Sequence, residues 1–584
     1  MLKKHKQIMQ HDSMAKELDE IILKYALKNA IDYGKANTSS VLGKVIPYAE
    51  NEPIAELKAK VEEIVGKVNS MSNEERASVY SKYAEEFEAA EKRKEELSSG
   101  PHLEIEGAEY GKVATRFPPE PGGFIHIGNM KQCMLSEAIA KKYGGTISLY
   151  FDDTNPEKCS SKYVEAIKAD TSWMGVHFAR EYYASDFVDV IYEYGKKLIE
   201  QGLAYVCFCD QKLAKENRKN GIECMHRKQT PEENKELFSQ MIAGKFADGE
   251  AVLRLKGNMQ ASNDVMRDPT LFRIKRALHY RQGSRYIVWP TYHMNTPIVD
   301  SINGITDVIK GKEYEKWGEV HEFILKSLNL PLYRVHYESR LRIAGNTTAK
   351  RVLRELIKKG YISGWDDPRL VTIAALRRRG IQPQAIREFV LRSGFSKYDG
   401  IASMDMLIAE NTKIINPIAK HLFFVRNPVK VSIDISNFST SMPVLPGSKE
   451  FRNETINKTI YISDIDASAI KEGDIIRLKG LKDAKVIEKN ASEIIMKVVS
   501  SSSYSRIMQW VAASGLQCSV IIPKPLFGNS GNFNPESIEI AEGMVENYAA
   551  KLKLHDIVQF ERFGYCILDS QEKGLQFILI SGFF

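Results

Sequence analysis

The chain has 584 residues and no compositional extreme, 43% hydrophobic and 27% charged, which describes globular protein long enough for several cored domains. Its net charge of +7 permits a nucleic-acid partner without demanding one. The seven cysteines form no disulfide-like pattern, the N-terminus lacks a signal peptide's apolar core, and no run approaches the roughly 18–20 apolar residues that span a bilayer; the chain reads as cytoplasmic, with no membrane partner.

In chain order, residues 1–101 read as a helical N-terminal extension. IILKYALKNAIDYG has apolar residues at helical spacing, and EERASVYSKYAEEFEAAEKRKEEL is long, charged and built of helix formers. SSGP at 98–101 ends that helix as a linker. No chemistry is visible here, and the reading is docking or stability, the place where a protein partner would attach. From about 103, KVATRF, a Gly/Pro loop, HIGNMKQCMLSEAIAKKYGG and TISLYFDDT read as strand, loop, helix and strand, a βαβ unit. The helices KYVEAIKADTSWMG and IYEYGKKLIEQG follow. After the strand-like AYVCFC come a Lys- and Glu-rich stretch to about 250 and a second alternating region from AVLRLK to VHYESRL. Residues 350–395 are helical, with a basic run LRRRG at 376–380. From about 415, VKVSIDI, TIYISDI, DIIRLKG, AKVIEKN, EIIMKVV and SVIIPK alternate between turn residues, an all-β region expected to form barrels. Beyond the SSSS at 500–503 there is no low-complexity tract.

Three features carry chemistry. A strand that runs into the Gly-rich loop 120–123 and then a helix makes an anion site, because free backbone N–H groups and the positive end of the helix dipole face the loop. His126 and Asn129, three apart, share a face of the first turn and can touch phosphates or a base; the alternative is a plain loop with a helix-capping Asn. Cys207-Phe208-Cys209 and Cys224-Met225-His226 supply four ligands in short pairs that suit tetrahedral Zn2+ in a structural role. The alternative is a strand on which one of Cys207 and Cys209 is buried as a small hydrophobe. LRRRG and IREFVLR, with Arg354, Lys358 and Lys359, concentrate cations that can contact phosphates or simply face solvent.

TRFPPEPGGFIHIGN, YFDDTNPEK, HYRQGSRYIVWPTYH, GITDVIKGKEY and GWDDPRLVTIAALRRRGI, in this order and spacing, resemble the glutamyl-tRNA synthetases of archaeal and eukaryotic type, close relatives of the glutaminyl enzymes. The resemblance runs over nearly the whole chain. It implies a multidomain class I fold: an α/β Rossmann catalytic domain over 102–345 with an acceptor-binding insertion at about 207–272, a helical stem-contact (junction) domain over 346–414, and C-terminal all-β barrels over 415–584 that bind the anticodon. It also implies ATP-dependent ligation of glutamate to tRNA-Glu through a glutamyl-adenylate, with Mg2+. Whether tRNA-Gln is charged as well is left open.

Residue by residue, the resemblance places His126, Ile127, Gly128 and Asn129 at the HIGH-like motif and Lys350 at the lysine of the KMSKS-like loop, here GNTTAKRVL. ATP is expected at Glu120, Pro121, Gly122, His126, Gly128, Asn129, Arg340, Leu341 and Lys350, with His126, Asn129 and Lys350 serving catalysis. Glutamate is expected at Arg116, Asp152, Tyr292 and Lys310: Asp152 for the α-ammonium, and Arg116 and Lys310 for the carboxylate, because a buried carboxylate needs a counter-charge. The plainer reading of Asp152 and Asp153 is turn-capping. Four positions depart from the family pattern: Asn129 for the second His of HIGH, Tyr150 for the Arg of RFDD, His293 for the Asp of WPTYD, and Ala349 for the Ser of the lysine loop. The alternatives are glutaminyl transfer, against which Lys310 argues, and a catalytically silent tRNA-binding paralogue, for which Asn129 and Ala349 argue.

Overall fold

The computed structural model describes residues 2–46, 54–98, 103–392, 394–395, 400–490, 493–501, 503–528 and 531–583. The expected linker after Ser98 and the third serine of the 500–503 tract lie outside them. The chain divides into two compact units, 1–100 and 101–584.

In the first unit the described residues form the helices Leu2–Tyr33, Thr38–Val45, Ile54–Ser70 and Asn73–Ser98. Ile22, Ala26 and Ala30 recur four residues apart and face Val41, Val45, Leu57, Val61, Val65 and Val68, the core that this spacing demands. Arg76 ties the connectors together. Its guanidinium donates to the carbonyls of Val68 (2.9 Å), Gly34 (2.8 Å) and Asn69 (2.8 Å).

The second unit is organised by parallel strands. Ala114–Phe117, Thr146–Phe151 and Arg180–Tyr183 pair side by side, with Thr146–Phe151 in the centre. That central strand is buried on both faces after its first residue, which is why it reads as an apolar run rather than an alternation. On the far side of Ala114–Phe117 lies the parallel pair Asp307–Gly311 and Arg334–Glu338, joined to it where Thr306 N donates to Ala114 O (2.9 Å). Helices connect these strands, and the order is that of a doubly wound sheet whose direction of growth reverses between Ala114–Phe117 and Asp307–Gly311.

Ala204–Cys207, Val252–Leu255, Thr270–Ile274 and Val288–Pro290 form an antiparallel sheet inserted into this succession. The sheet outruns the expected 207–272 at both ends. Its outer strands begin at Ala204 and close at Pro290, because Phe238, Phe272 and Trp289 pack into one core with Tyr192 and Tyr286. The helices Lys350–Lys358, Ile373–Arg378, Pro383–Arg392 and Met404–Ile415 follow, interrupted by Gly400–Ala402, which pairs in parallel with Leu341–Ile343.

Within the basic run the arginines find partners inside the fold, while Lys358 and Lys359 stay exposed. Arg378 makes two 2.8 Å bonds to Asp569, Arg379 is buried and reaches Ile580 O, and Arg377 faces Asp170 at 3.6 Å. Downstream, Arg387 pairs with Glu137 and Arg392 with Glu410. These cations are consumed in docking helices onto strands and onto each other.

Among the described C-terminal residues there are two seven-stranded sheets. In the first, the outermost strands are Lys420–Leu422 and Phe424–Arg426, separated only by Phe423. In the second they are Arg506–Met508 and Val511–Ala512, separated by Gln509 and Trp510. A sheet whose two edges are consecutive pieces of chain has curled until the edges meet, so both are barrels. Arg452, 2% exposed, donates to both oxygens of Glu546 at 2.7 Å and lies over the Phe423 ring at 4.3 Å. Arg452→Ala leaves the Glu546 carboxylate buried without its cation and is expected to cost about 3–5 kcal/mol, read as a lowered denaturant midpoint in the fluorescence of buried Trp510.

Candidate active site

A cavity of about 530 Å3 opens at the carboxyl ends of the parallel strands, where the order of the doubly wound sheet reverses. Four of the five strands deliver residues to it as they end. Ala114–Phe117 brings Arg116, Thr146–Phe151 is followed by Asp152, Asp307–Gly311 brings Lys310, and Arg334–Glu338 is followed by Ser339, Arg340 and Leu341. Glu120, His126, Gly128, Asn129, Tyr292 and Lys350 complete the expected residues in its wall. Pro121 and Gly122, expected at the nucleotide, are not in it. The Pro121 carbonyl accepts from Ser160 N and the Gly122 carbonyl from Arg354.

His126 is the N-cap of the helix Ile127–Lys142. Its Nδ1 accepts from the N–H groups of Gly128 (3.1 Å) and Asn129 (3.2 Å), while Asn129 Oδ1 accepts from His126 N (3.2 Å). This is a reciprocal capping box made by a histidine. Ile127 N donates to Val371 O and Met130 N to His126 O. Every N–H of the first turn is therefore used, and the expected cradle of free backbone donors is not formed. Side chains take over. Burial, Lys350 and Arg340 hold the His126 pKa down at about 3, so the ring is neutral; with Nδ1 accepting, its proton sits on Nε2 as a donor at the cavity wall. Asn129 likewise caps with its oxygen and keeps its Nδ2 donors. Capping and ligand contact, read from sequence as alternatives, use different atoms of the same side chains.

Lys350 begins the helix Lys350–Lys358, and its Nζ donates to Glu120 O at 3.0 Å. A Cβ on Gly123 would stand 3.0 Å from Trp365 and 3.1 Å from Lys350 Cδ, so any larger residue would press on both side chains. Behind it Trp365 stacks on Phe124 (centroids 5.9 Å, interplanar angle 6°).

At the other end of the cavity the charges are arranged unevenly. Arg116, 1% exposed, is gripped by Asp300: Nε to Oδ1 at 3.0 Å and a terminal nitrogen to Oδ2 at 3.2 Å. Its charge is already answered inside the protein. Lys310 is 3% exposed, bonds His321 Nδ1 at 3.1 Å, and has no ion pair among the described residues. Burial and the neighbouring Arg116 push its pKa down to about 7. Asp152 is the mirror case. Its Oδ1 accepts from Asn295 Nδ2 (2.9 Å) and Thr154, it too has no ion pair among the described residues, and burial with Glu120 and Asp153 pushes its pKa up to about 7. Asp153 points elsewhere, accepting from Ser185 N, Ser185 Oγ and Tyr280 Oη, so it ties distant elements together rather than capping its own turn. This end of the cavity thus offers a half-buried carboxylate and a buried ammonium, neither of them in an ion pair among the described residues.

Asp300, His321 and Trp365 were not legible as site residues. Asp300 carried a faint signal, lying eight residues after Tyr292 and therefore on the same face of one helix. Of the departures, Tyr150 stacks on Tyr182 (5.0 Å) and His293 lies against Trp317 (5.1 Å).

Away from the cavity, Cys207, Cys209, Cys224 and His226 gather their ligand atoms within 4.8 Å of one another. The Sγ of Cys224 is 3.7 Å from that of Cys207, 3.3 Å from that of Cys209 and 3.0 Å from His226 Nδ1. Cys207 is buried at a strand end, as the plainer reading had it, yet its sulfur still joins the cluster.

Residues 112–417 match the family described as tRNA synthetases class I (E and Q), catalytic domain; 419–501 and 507–569 match its two anti-codon binding domain families. A glutamate–tRNA ligase of Nitrosopumilus maritimus is 37% identical over 572 residues, covering 96% of this chain and 99% of its own. That of Thermococcus kodakarensis is 36% identical over 574 residues, covering 95% and 97%. A solved glutamate tRNA ligase from Elizabethkingia meningosepticum aligns over 52% of this chain and 70% of its own, at 17% identity and a TM-score of 0.38, too loose a likeness to add to the argument.

Because the folded His126 pKa lies far below 6.5, the unfolded chain takes up a proton that the folded chain refuses between pH 6.5 and about 3, and stability falls as pH is lowered through that window. His126→Asn, which caps but does not titrate there, is expected to reduce the slope of unfolding free energy against pH by about 1.4 kcal/mol per pH unit, measured by urea denaturation between pH 6 and 4.5.

Proposed function

Since the chain belongs to the class I tRNA synthetases for glutamate and glutamine, we propose that the cavity activates glutamate with ATP and passes it to tRNA-Glu. The observation that carries this is the pair of unanswered charges. A free amino acid with an acidic side chain presents an ammonium and a carboxylate; Asp152 takes the first and Lys310 the second, with Tyr292 in the same wall, its ring 5.6 Å from Lys310 Nζ. Glutamine would leave Lys310 uncompensated, which disfavours the glutaminyl alternative. Arg116 shapes this end through Asp300 and contributes less free charge than its sequence position suggested.

Joining a carboxylate to the α-phosphate of ATP needs no protein nucleophile. It needs donors around a phosphate that becomes crowded in the transition state. His126 Nε2, Asn129 Nδ2 and Lys350 Nζ are those donors. Lys350 exchanges the Glu120 carbonyl for a phosphate oxygen, while Arg340 and Leu341 flank the nucleoside. Asn129 in place of histidine costs little in charge, because His126 beside it is itself neutral. Mg2+ is read as entering on the nucleotide's phosphates.

The remaining assignments follow the same reading. Residues 102–345 serve catalysis, with the insertion gripping the acceptor end; 346–414 meet the stem, and the barrels bind the anticodon. The N-terminal unit, with Ile31, Tyr33 and Ile46 exposed, is the part suited to a protein partner, and a tRNA substrate puts the work in the cytoplasm. Cys207, Cys209, Cys224 and His226 hold a structural Zn2+: at metal–sulfur distances of about 2.3 Å a tetrahedral ion spaces its ligands by about 3.7 Å, and here four of the six separations are 3.0–3.7 Å with all of them within 4.8 Å.

Labelled glutamate, and not glutamine, is expected to charge separated tRNA-Glu. The kcat/KM for glutamate should be bell-shaped with its optimum near pH 7, because protonation of Asp152 removes the ammonium site on the acid side and deprotonation of Lys310 removes the carboxylate site on the alkaline side. Lys310→Arg should lose the alkaline limb; an unchanged profile would dissociate Lys310 from substrate. Purified protein should carry one zinc per chain by plasma emission, and Cys224→Ser should lose it together with several degrees of melting temperature.

A further inference from the structure

Lys310 is unusual among buried lysines in what it is bonded to. A buried ammonium ordinarily finds a carboxylate, yet among the described residues the one hydrogen-bond partner it shows is the imidazole of His321, on the helix Glu315–Ser327, with Nζ and Nδ1 3.1 Å apart. His321 is 2% exposed, and its Nε2 is buried with no partner. Because Nδ1 accepts, the proton of the neutral ring lies on Nε2. His293 brings a second buried and unpartnered nitrogen, Nδ1, with the two rings 6.2 Å apart. Tyr292 lies against the same imidazole, tilted at 41° with ring centroids 5.2 Å apart.

We infer that His321 is the positioning residue for amino-acid selection: it holds Lys310 toward the cavity through a neutral acceptor, so that the ammonium is aimed but not neutralised. A carboxylate at position 321 would aim Lys310 equally well and cancel its charge, as Asp300 does for Arg116 a few ångströms along the same wall. An apolar residue would leave the charge and lose the aim. The neutral imidazole is what separates orientation from compensation. It stays neutral because burial, Lys310 and His293 drive its pKa well below the usual histidine range. The charged or titratable groups facing Lys310 are Arg116 on its strand, Asp300, Tyr292 and His293 on the helix Tyr292–Ile302, Tyr333 before the adjoining strand, and His321 itself.

This inference rests on Lys310 being the site for the substrate carboxylate, and the experiment separates the two. Charging of tRNA-Glu by the full chain is measured as a function of glutamate concentration for wild type, His321→Asp, His321→Leu and His321→Asn, with thermal unfolding of each as a control. His321→Asp is expected to raise KM for glutamate about tenfold or more with kcat and KM for ATP changed little, and to flatten the alkaline limb of the pH profile, since a charge-assisted bond to substrate is lost. His321→Leu should raise KM while leaving that limb in place. His321→Asn, a shorter neutral acceptor, should recover most of the affinity lost in His321→Leu. Equal KM for glutamate in wild type, Asp and Leu variants, or a uniform fall in kcat that tracks the melting temperature, overturns the inference. No glutamate charging by wild type overturns instead the reading on which it rests.

Discussion

The bidentate contact between Arg116 and Asp300 decides how charge is distributed through the active cavity. It fastens the strand Ala114–Phe117 to the helix Tyr292–Ile302, both of which wall the site, and it does so with two fully buried groups. A buried ion pair of this kind contributes little net stability, since desolvation offsets most of its attraction. Its consequence is local. It removes one cation from the cavity's account, and so makes Lys310 and Asp152 the groups whose charges a ligand must answer. These two groups of opposite sign, neither in an ion pair among the described residues, are held apart by rigid elements of the sheet.

The nucleotide end follows a similar economy of atoms. His126 and Asn129 close the first turn of the helix Ile127–Lys142 with their inner atoms and face the cavity with their outer ones. The helix terminus is satisfied before any ligand arrives, and the ring tautomer is set by the cap itself. Asn129, where the family has its second histidine, keeps the cap: its carboxamide oxygen accepts from the backbone and its Nδ2 donors stay free of the capping contact. The unit's C-terminal half applies the same logic to larger pieces. Each barrel is closed by one short chain segment that serves both edges, so no long strand edge is left open.

Much of this was legible along the chain. The βαβ alternation, the helices of the first unit and the alternating strands after 415 are local patterns, set by the spacing of apolar residues and by turn chemistry. Paired short spacings brought Cys207 and Cys209 close, and Cys224 and His226 close, because i and i+2 cannot separate far. The basic run at 376–380 shows the limit of local patterns. Periodicity places Arg378 and Arg379 on a helix but says nothing of Asp569 and Ile580, almost 200 residues away, which take them up.

By itself the sequence determined the elements, their order, the family and the residue types that meet in the cavity, since these depend on neighbours a few positions apart. Tertiary structure alone decided which charges stay uncompensated. Arg116 and Lys310 look equivalent in the sequence, one cation near the end of each of two strands; only packing brings a carboxylate to the first and an imidazole to the second. Electrostatic energy depends on distance through space in a poorly polarisable interior, and distances between residues 184 or 11 positions apart are properties of the fold rather than of the chain.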